Sequence, residues 1–219
     1  MSNSVVFEND GIKYRFMLEQ DTDPSDPRDD DNVGTMVCWH RRYKLGDDQP
    51  TRSPDGWRIN LARSLEVFDE EADDMEGGVT LRADAILDEQ VIMLPLYLCD
   101  HSGITMSTGS FNDRWDSGQV GWIYTTKAKA LEEYGDGLEN VEKHLKGEVE
   151  VYNQYLTGDT YGFVLEKLVK CECCGHVAEK HEESVWGFYG YDITTNGVLD
   201  NIDSKLHEPL LAAWKAGGF

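Results

Sequence analysis

Positive charge is scarce in this chain: twenty Lys and Arg stand against forty-two Asp and Glu in 219 residues, a formal net charge of −22. Such a balance turns most of the surface away from phosphate backbones, anionic membranes and acidic substrates, and leaves cationic or neutral partners. Long apolar runs are missing too. None approaches the roughly 20 residues that cross a bilayer, and the opening MSNSVVFENDG has neither the basic start nor the apolar core of a secretory signal. The expected location is the cytoplasm. Cysteine is sparse and uneven: of five, three crowd into residues 171–174, a poor disulfide framework, so a reducing compartment is expected. There is no P-loop, no dinucleotide fingerprint, no nucleophile elbow and no basic aromatic ribbon, so direct nucleic-acid binding is not expected. Asp21, Asp23 and Asp26 resemble the start of a calcium loop, but the glycine and the terminal glutamate of an EF-hand are lacking.

The apolar runs that do occur are short and rich in β-branched and aromatic residues. IKYRFMLE, GTMVCWHRRYKL, VIMLPLYLC, QVGWIYTT, TYGFVLEKLV and SVWGFYGY, each bounded by turn-forming residues, read as six strands. Helical spacing over 59–74 and 127–145 predicts two helices, the second weakened by Gly135 and Gly137; SKLHEPLLAAWKAGGF adds a short third. No repeat and no regular strand–helix alternation occurs, so the expected class is α+β, a mostly antiparallel mixed sheet with two or three helices packed on it. With 40% hydrophobic content, residues 1–219 are expected to form a single domain, with an acidic loop at 19–32 and a small C-terminal lobe, 171–219, as the candidate subdivision.

Two segments concentrate the acidity. EQDTDPSDPRDDDN, residues 19–32, carries seven carboxylates against one arginine, and its prolines predict an extended loop. EVFDEEADDME, residues 66–76, carries seven in eleven positions and is expected on an exposed helix face. Asp21, Asp23, Asp26, Asp29, Asp30 and Asp31 in the first, with Glu66, Asp69, Glu70, Glu71, Asp73 and Asp74 in the second, are the candidate partner-binding residues. At one charge per roughly 1.7 Å of B-form axis, 22 charges match about 37 Å of duplex. That is close to the roughly 40–45 Å expected across a compact chain of this size. The match permits DNA mimicry; an acidic proteome would give the same total.

A catalytic candidate lies at CDHSGITMST, where a near-continuous apolar run leaves the core. His101 there could act as base, with Asp100 or Asp116 orienting it and Ser107 or Ser117 supplying a hydroxyl, in a pocket walled by Trp115 and Trp122. Ser102 is poorly placed for it, because neighbours on an extended chain point to opposite faces. The alternative is a polar turn in which Asp100 and Ser102 cap the backbone. A metal candidate lies at VKCECCGHVAEKH. Cys171 and Cys174 have the spacing of a zinc knuckle, and His176 and His181, or Cys38 and His40, could complete a tetrahedral site; without a second knuckle, reduced, partly buried thiols beside a strand are the alternative. In CWHRRY, alternation places His40 and Arg42 on one face, where they could hold an anion; otherwise Arg41 and Arg42 pair with Asp29–Asp31 or another carboxylate.

LPLYLCDHSGITMSTGSFNDRWDSGQVGWIY, EVEVYNQYLTGDTYGFVLE and SVWGFYGY, spanning Leu94 to Tyr191, resemble a group of uncharacterised proteins carried by bacteriophages and integrating elements; upstream the likeness is confined to DPRDDDNVGTMVCWHRRYKLGD. The resemblance carries over no functional residue. It implies a phage or mobile-element origin, hence host cytoplasm, and small acidic phage proteins are often inhibitors of restriction or CRISPR effectors. The leading expectation is therefore an acidic interaction protein that presents a DNA-like surface to a basic, nucleic-acid-binding host defence protein, with no direct nucleic-acid or membrane partner; a homodimer is left open. A small hydrolase centred on His101 and a zinc-stabilised binding module are the alternatives, and zinc is the one cofactor considered.

Overall fold

A computed structural model describes residues 3–66, 78–113, 115–135 and 137–218. In chain order these form β1 (Asn3–Asn9), β2 (Ile12–Gln20), β3 (Thr35–Cys38), α1 (Pro54–Leu65), α2 (Gly78–Gln90), β4 (Val91–Asp100), β5 (Ile104–Ser107), β6 (Ser117–Thr126), α3 (Lys127–Tyr134), α4 (Val141–Thr157), β7 (Thr160–Lys170), β8 (Val177–Tyr189) and α5 (His207–Ala216). The α+β class is as expected, and all strand pairing within the sheets is antiparallel. The strands divide between two four-stranded sheets, in the orders β1-β2-β7-β8 and β3-β6-β4-β5. The chain forms two compact units, Met1–Asp26 with Gln154–Phe219, and Pro27–Asn153. Residues 171–219 thus share a unit with the N-terminal strands, where the sequence had suggested a separate lobe.

In the first unit, period-2 burial builds the core. Val5 and Phe7 of β1, Phe16 and Leu18 of β2, and Phe163 and Leu165 of β7 face the same cluster as Leu210 and Trp214 of α5. Trp214 meets Phe16 edge-on, ring centroids 5.5 Å apart, a geometry that places the positive ring edge against the negative face. β1 and β2 are joined by Asp10 and Gly11 with φ of 50° and 75°, the double left-handed turn whose twist matches that of the strands. β8 is an outermost strand whose residues 177–183 are all exposed. Register shifts against β7 leave Glu182 and Gly187 without an opposite residue, so β8 is bulged twice.

In the second unit, β6 lies between β3 and β4. Ala62 of α1 packs with Ala83, Ile86 and Leu87 of α2 and with Val91 of β4. Ser53 caps α1 by accepting from the Gly56 amide at 3.3 Å with Pro54 at the first helical position, and Thr126 caps α3 by accepting from Lys129 N at 3.1 Å. The single helix expected at 127–145 is broken after Tyr134, where Gly135 takes a φ of 71°. It resumes as α4, whose buried stripe is Val141, Leu145, Val149 and Tyr152. Instead of running to Leu45, β3 ends at Cys38, so His40, Arg41 and Arg42 lie in a loop and the alternation argument for their facing lapses.

Candidate functional site

Backbone pairing assembles the CDHSG turn. Asp100 N donates to Asp116 O at 2.8 Å, which brings the end of β4 beside the start of β6. The chain then reverses through Ser102 and Gly103, with φ of 59° and 152°, and His101 N donates to Gly103 O at 3.1 Å. These contacts carry His101 to Asp116, Nδ1 to Oδ2, 2.8 Å. Asp113 stands close by, its oxygen within 4.8 Å of the donor atoms of the other two. The Asp113 carboxylate accepts from the amides of Trp115 at 2.8 Å and Asp116 at 3.2 Å, which hold it below the usual carboxylate range. The hydrogen bond and charge of Asp116 raise the His101 pKa.

Asp100 does not serve His101. Its carboxylate pairs with Arg42 at 3.2 Å and accepts a longer bond from the Tyr43 hydroxyl at 3.4 Å. The arginine is therefore held by Asp100 rather than by Asp29–Asp31. His40 stacks on Tyr43 with centroids 5.0 Å apart, and its Nδ1 accepts from Tyr43 N at 3.2 Å. An open cleft of about 320 Å³ lies here, lined by Arg41, Arg42, Asp100, Trp115 and Asp116 among others. Of the two tryptophans expected to wall it, Trp115 does so while 95% exposed. Trp122 instead joins Trp39 and Trp57, stacked on Trp57 at 5.9 Å.

The hydroxyls expected to serve His101 are engaged elsewhere. Ser107 Oγ accepts from Gly109 N at 3.0 Å, and Ser117 Oγ donates to the Asp113 carbonyl. The result is an acid-paired histidine whose side chain is 70% exposed. Titration of His101 followed by NMR is expected to give a midpoint above the ordinary value of about 6.5, and Asp116→Asn is expected to bring it back down. Because the folded value is the higher one, the stabilisation is fully present below the unfolded pKa and is lost as pH rises through the folded pKa. An unshifted midpoint in the parent protein would show that the contact does not persist in solution.

A second cluster lies in the connection from β7 to β8. Cys171 N donates to His176 O at 2.7 Å and Gly175 N to Cys171 O at 2.9 Å, closing a tight turn with Gly175 at a φ of 73°. Within it the sulfurs of Cys171, Cys173 and Cys174 lie within 4.8 Å of one another, and those of Cys171 and Cys173 are 2.9 Å apart. These three thiols could hold a metal ion. Hydrogen bonds from the Cys173 thiol and from the amides of Cys173 and Cys174 bring the Cys171 pKa down to about 6. The structure adds Cys173 to the pair expected from the sequence, and His176 and His181 lie outside the set; His181 Nε2 instead meets Ser184 Oγ at 3.1 Å. Cys38 is buried on β3, where burial pushes its thiol up to about 12, and it belongs with His40 to the other unit. The CECC run itself signals a third donor; a two-cysteine template obscures it.

The acidic segment expected as a loop from residue 19 begins in strand, since β2 runs to Gln20, and from Asp21 to Asn32 its only regular structure is a 3-10 turn at Pro27–Asp29. Asp23, Asp29, Asp30 and Asp31 are exposed, while Asp21 and Asp26 are half-buried. The one arginine of the segment turns inward. Arg28, its side chain 5% exposed, donates to Asp47 through Nε at 2.8 Å and Nη2 at 2.7 Å, to Glu148 at 3.0 Å and to the Gly34 carbonyl at 2.7 Å. Among the described residues no ion pair involves Asp23, Asp29, Asp30 or Asp31. Of the second segment, Glu66 caps the C-terminus of α1, whereas Asp69, Glu70, Glu71, Asp73 and Asp74 lie outside the described residues. No helix among the described residues is long and apolar enough to cross a membrane. Compared with protein-family models, with curated proteins and with solved structures, the chain matches none.

Proposed function

We propose that this chain is an acidic interaction protein of phage type that inhibits a host nucleic-acid-binding defence protein by occupying its cationic groove. The observation that supports this reading most directly is the electrostatics of the 19–32 segment. Its arginine is held by Asp47 and Glu148, so the exposed carboxylates of Asp23, Asp29, Asp30 and Asp31 have no ion-pair partner among the described residues. Uncompensated charge of one sign steers association and attracts the opposite sign at the distances set by salt. The net charge of −22 extends the same field over the rest of the chain.

The test is capture of proteins from a bacterial extract at low salt, elution by a salt gradient, and competition between this chain and duplex DNA for the captured protein. Capture that weakens as salt rises, with displacement of DNA, is the expected result. The triple variant Asp29→Asn, Asp30→Asn, Asp31→Asn should weaken binding about 3- to 150-fold, at about 0.2–1 kcal/mol per exposed pair. Binding insensitive to salt and to these substitutions would overturn the proposal. A hydrolase centred on His101 is supported by the 2.8 Å contact with Asp116 alone; hydrolysis of a model ester or phosphoester, abolished by His101→Ala, would establish it in place of the first reading.

A further inference from the structure

We propose that the turn at Cys171–Cys174 binds one soft metal ion of filled d shell, of which monovalent copper is the best match, through the sulfurs of Cys171, Cys173 and Cys174 in a three-coordinate, all-thiolate site.

Four observations carry this. The first is distance: sulfurs bound to one ion at about 2.3 Å can lie no more than about 4.6 Å apart, and the three sulfurs here are already gathered within 4.8 Å. Trigonal coordination at that length sets the sulfurs about 4.0 Å apart, so those of Cys171 and Cys173, now 2.9 Å apart, must separate by about 1 Å, a movement within reach of side-chain rotation. The second is the donor set, which is sulfur throughout. Oxygen-seeking calcium and magnesium are poorly served by it, whereas thiolates select soft ions. The third is preorganisation. The amide of Cys171 bonded to the His176 carbonyl and that of Gly175 bonded to the Cys171 carbonyl fix the backbone that aims the thiols. Binding therefore does not carry the cost of ordering a loop.

The fourth observation decides among soft ions. A closed zinc site of the structural kind has four protein ligands in tetrahedral array. His176 and His181, the residues that the sequence offers for that purpose, are outside the sulfur set. Three thiolates alone satisfy an ion content with trigonal coordination. Cys173 and Cys174 are exposed and Cys171 half-buried, so an ion can be delivered to the site from solution or from another thiol carrier. This inference stands independently of the acidic-surface reading, which uses none of these residues.

The experiment uses the full chain, reduced with a phosphine and freed of reductant under nitrogen, and titrated separately with Cu(I) and Zn(II). Thiolate-to-metal charge-transfer absorption and native mass spectrometry report binding. One Cu(I) per chain is expected, with affinity falling by more than about 100-fold in Cys171→Ser, Cys173→Ser or Cys174→Ser, since loss even of an outer partner of a metal site costs about 10- to 100-fold. Cys99→Ser, at a cysteine of the other unit, should bind as the parent does. Circular dichroism identical to the parent would confirm that the variants fold. The proposal would be overturned by charge transfer that survives the triple cysteine variant, or by no binding of Cu(I) by the reduced parent. Zinc held at one per chain and lost in His176→Ala would also overturn it, in favour of a four-ligand Cys–His site.

Discussion

Arg28→Met is expected to destabilise the Pro27–Asn153 unit by about 3–5 kcal/mol, the range for removing one member of a buried ion-pair network. The guanidinium holds two carboxylates at once, Asp47 through two parallel bonds and Glu148 through a third. Each of those carboxylates has a further task. Asp47 Oδ2 accepts from the Met36 amide at 2.7 Å, and Glu148 Oε1 accepts from the amides of Val33 at 3.2 Å and Gly34 at 3.0 Å. Removal of the cation leaves two mostly buried negative charges side by side, and their repulsion loosens the backbone they hold. Amide hydrogen exchange is the discriminating measurement: Val33, Gly34 and Met36 should exchange sooner than the rest of the unit. Adding Asp47→Asn and Glu148→Gln to Arg28→Met should recover part of the loss, since no unpaired charge then remains. A loss below about 1 kcal/mol would mean that water reaches the carboxylates and replaces the arginine.

Gly121→Ala should also be strongly damaging, and for a reason of space rather than charge. A Cβ at Gly121 would stand 1.9 Å from the Val37 carbonyl oxygen and 2.9 Å from its carbon. Both are backbone atoms of β3, which pairs with β6 at this point, Cys38 opposite Gly121. The strand cannot rotate a main-chain carbonyl aside as it could a side chain, so it must separate from its neighbour. Overpacking in a closed interior typically costs about 1–3 kcal/mol, and a backbone obstacle places this site at or above the upper end. Chemical denaturation monitored by circular dichroism should show the shift. The nearby Gly118, where a Cβ would meet nothing within 4 Å, serves as the control: Gly118→Ala should be close to neutral. Equal effects at the two positions would refute the steric account.

Much of this architecture could be read before any coordinates. The runs IKYRFMLE, VIMLPLYLC, QVGWIYTT and TYGFVLEKLV mark strands almost residue for residue, VIMLPLYLC by its near-continuous apolar character and QVGWIYTT by burial that alternates along β6. The first strand is not among the six expected runs, although ENDGIK carries the Asp-Gly pair that the left-handed turn requires. Its flank, NSVVF, was too short to read as a periodic run. Helix α4 extends twelve residues past the expected limit at Leu145, because the buried stripe Val141–Leu145–Val149–Tyr152 carries it across Gly147 against propensity. Of the functional candidates, Asp116 could be paired with His101 only as one of two options. The other, Asp100, is claimed by Arg42, a contact between a loop and a strand end far apart in sequence, which no local pattern encodes.

Strand β8 gives the acidity of the chain a second meaning. An outermost strand of thirteen residues, exposed along its first half, is a template on which another molecule's strand could align. Its two bulges interrupt that template, and Glu179, Lys180, Glu182 and Glu183 place charge along it. At longer range, the net charge of −22 makes identical molecules repel before their edges meet. Colloidal stability thus depends on ionised carboxylates and dilute salt. Acidification or concentrated salt would remove the repulsion and leave β8 guarded by its bulges alone.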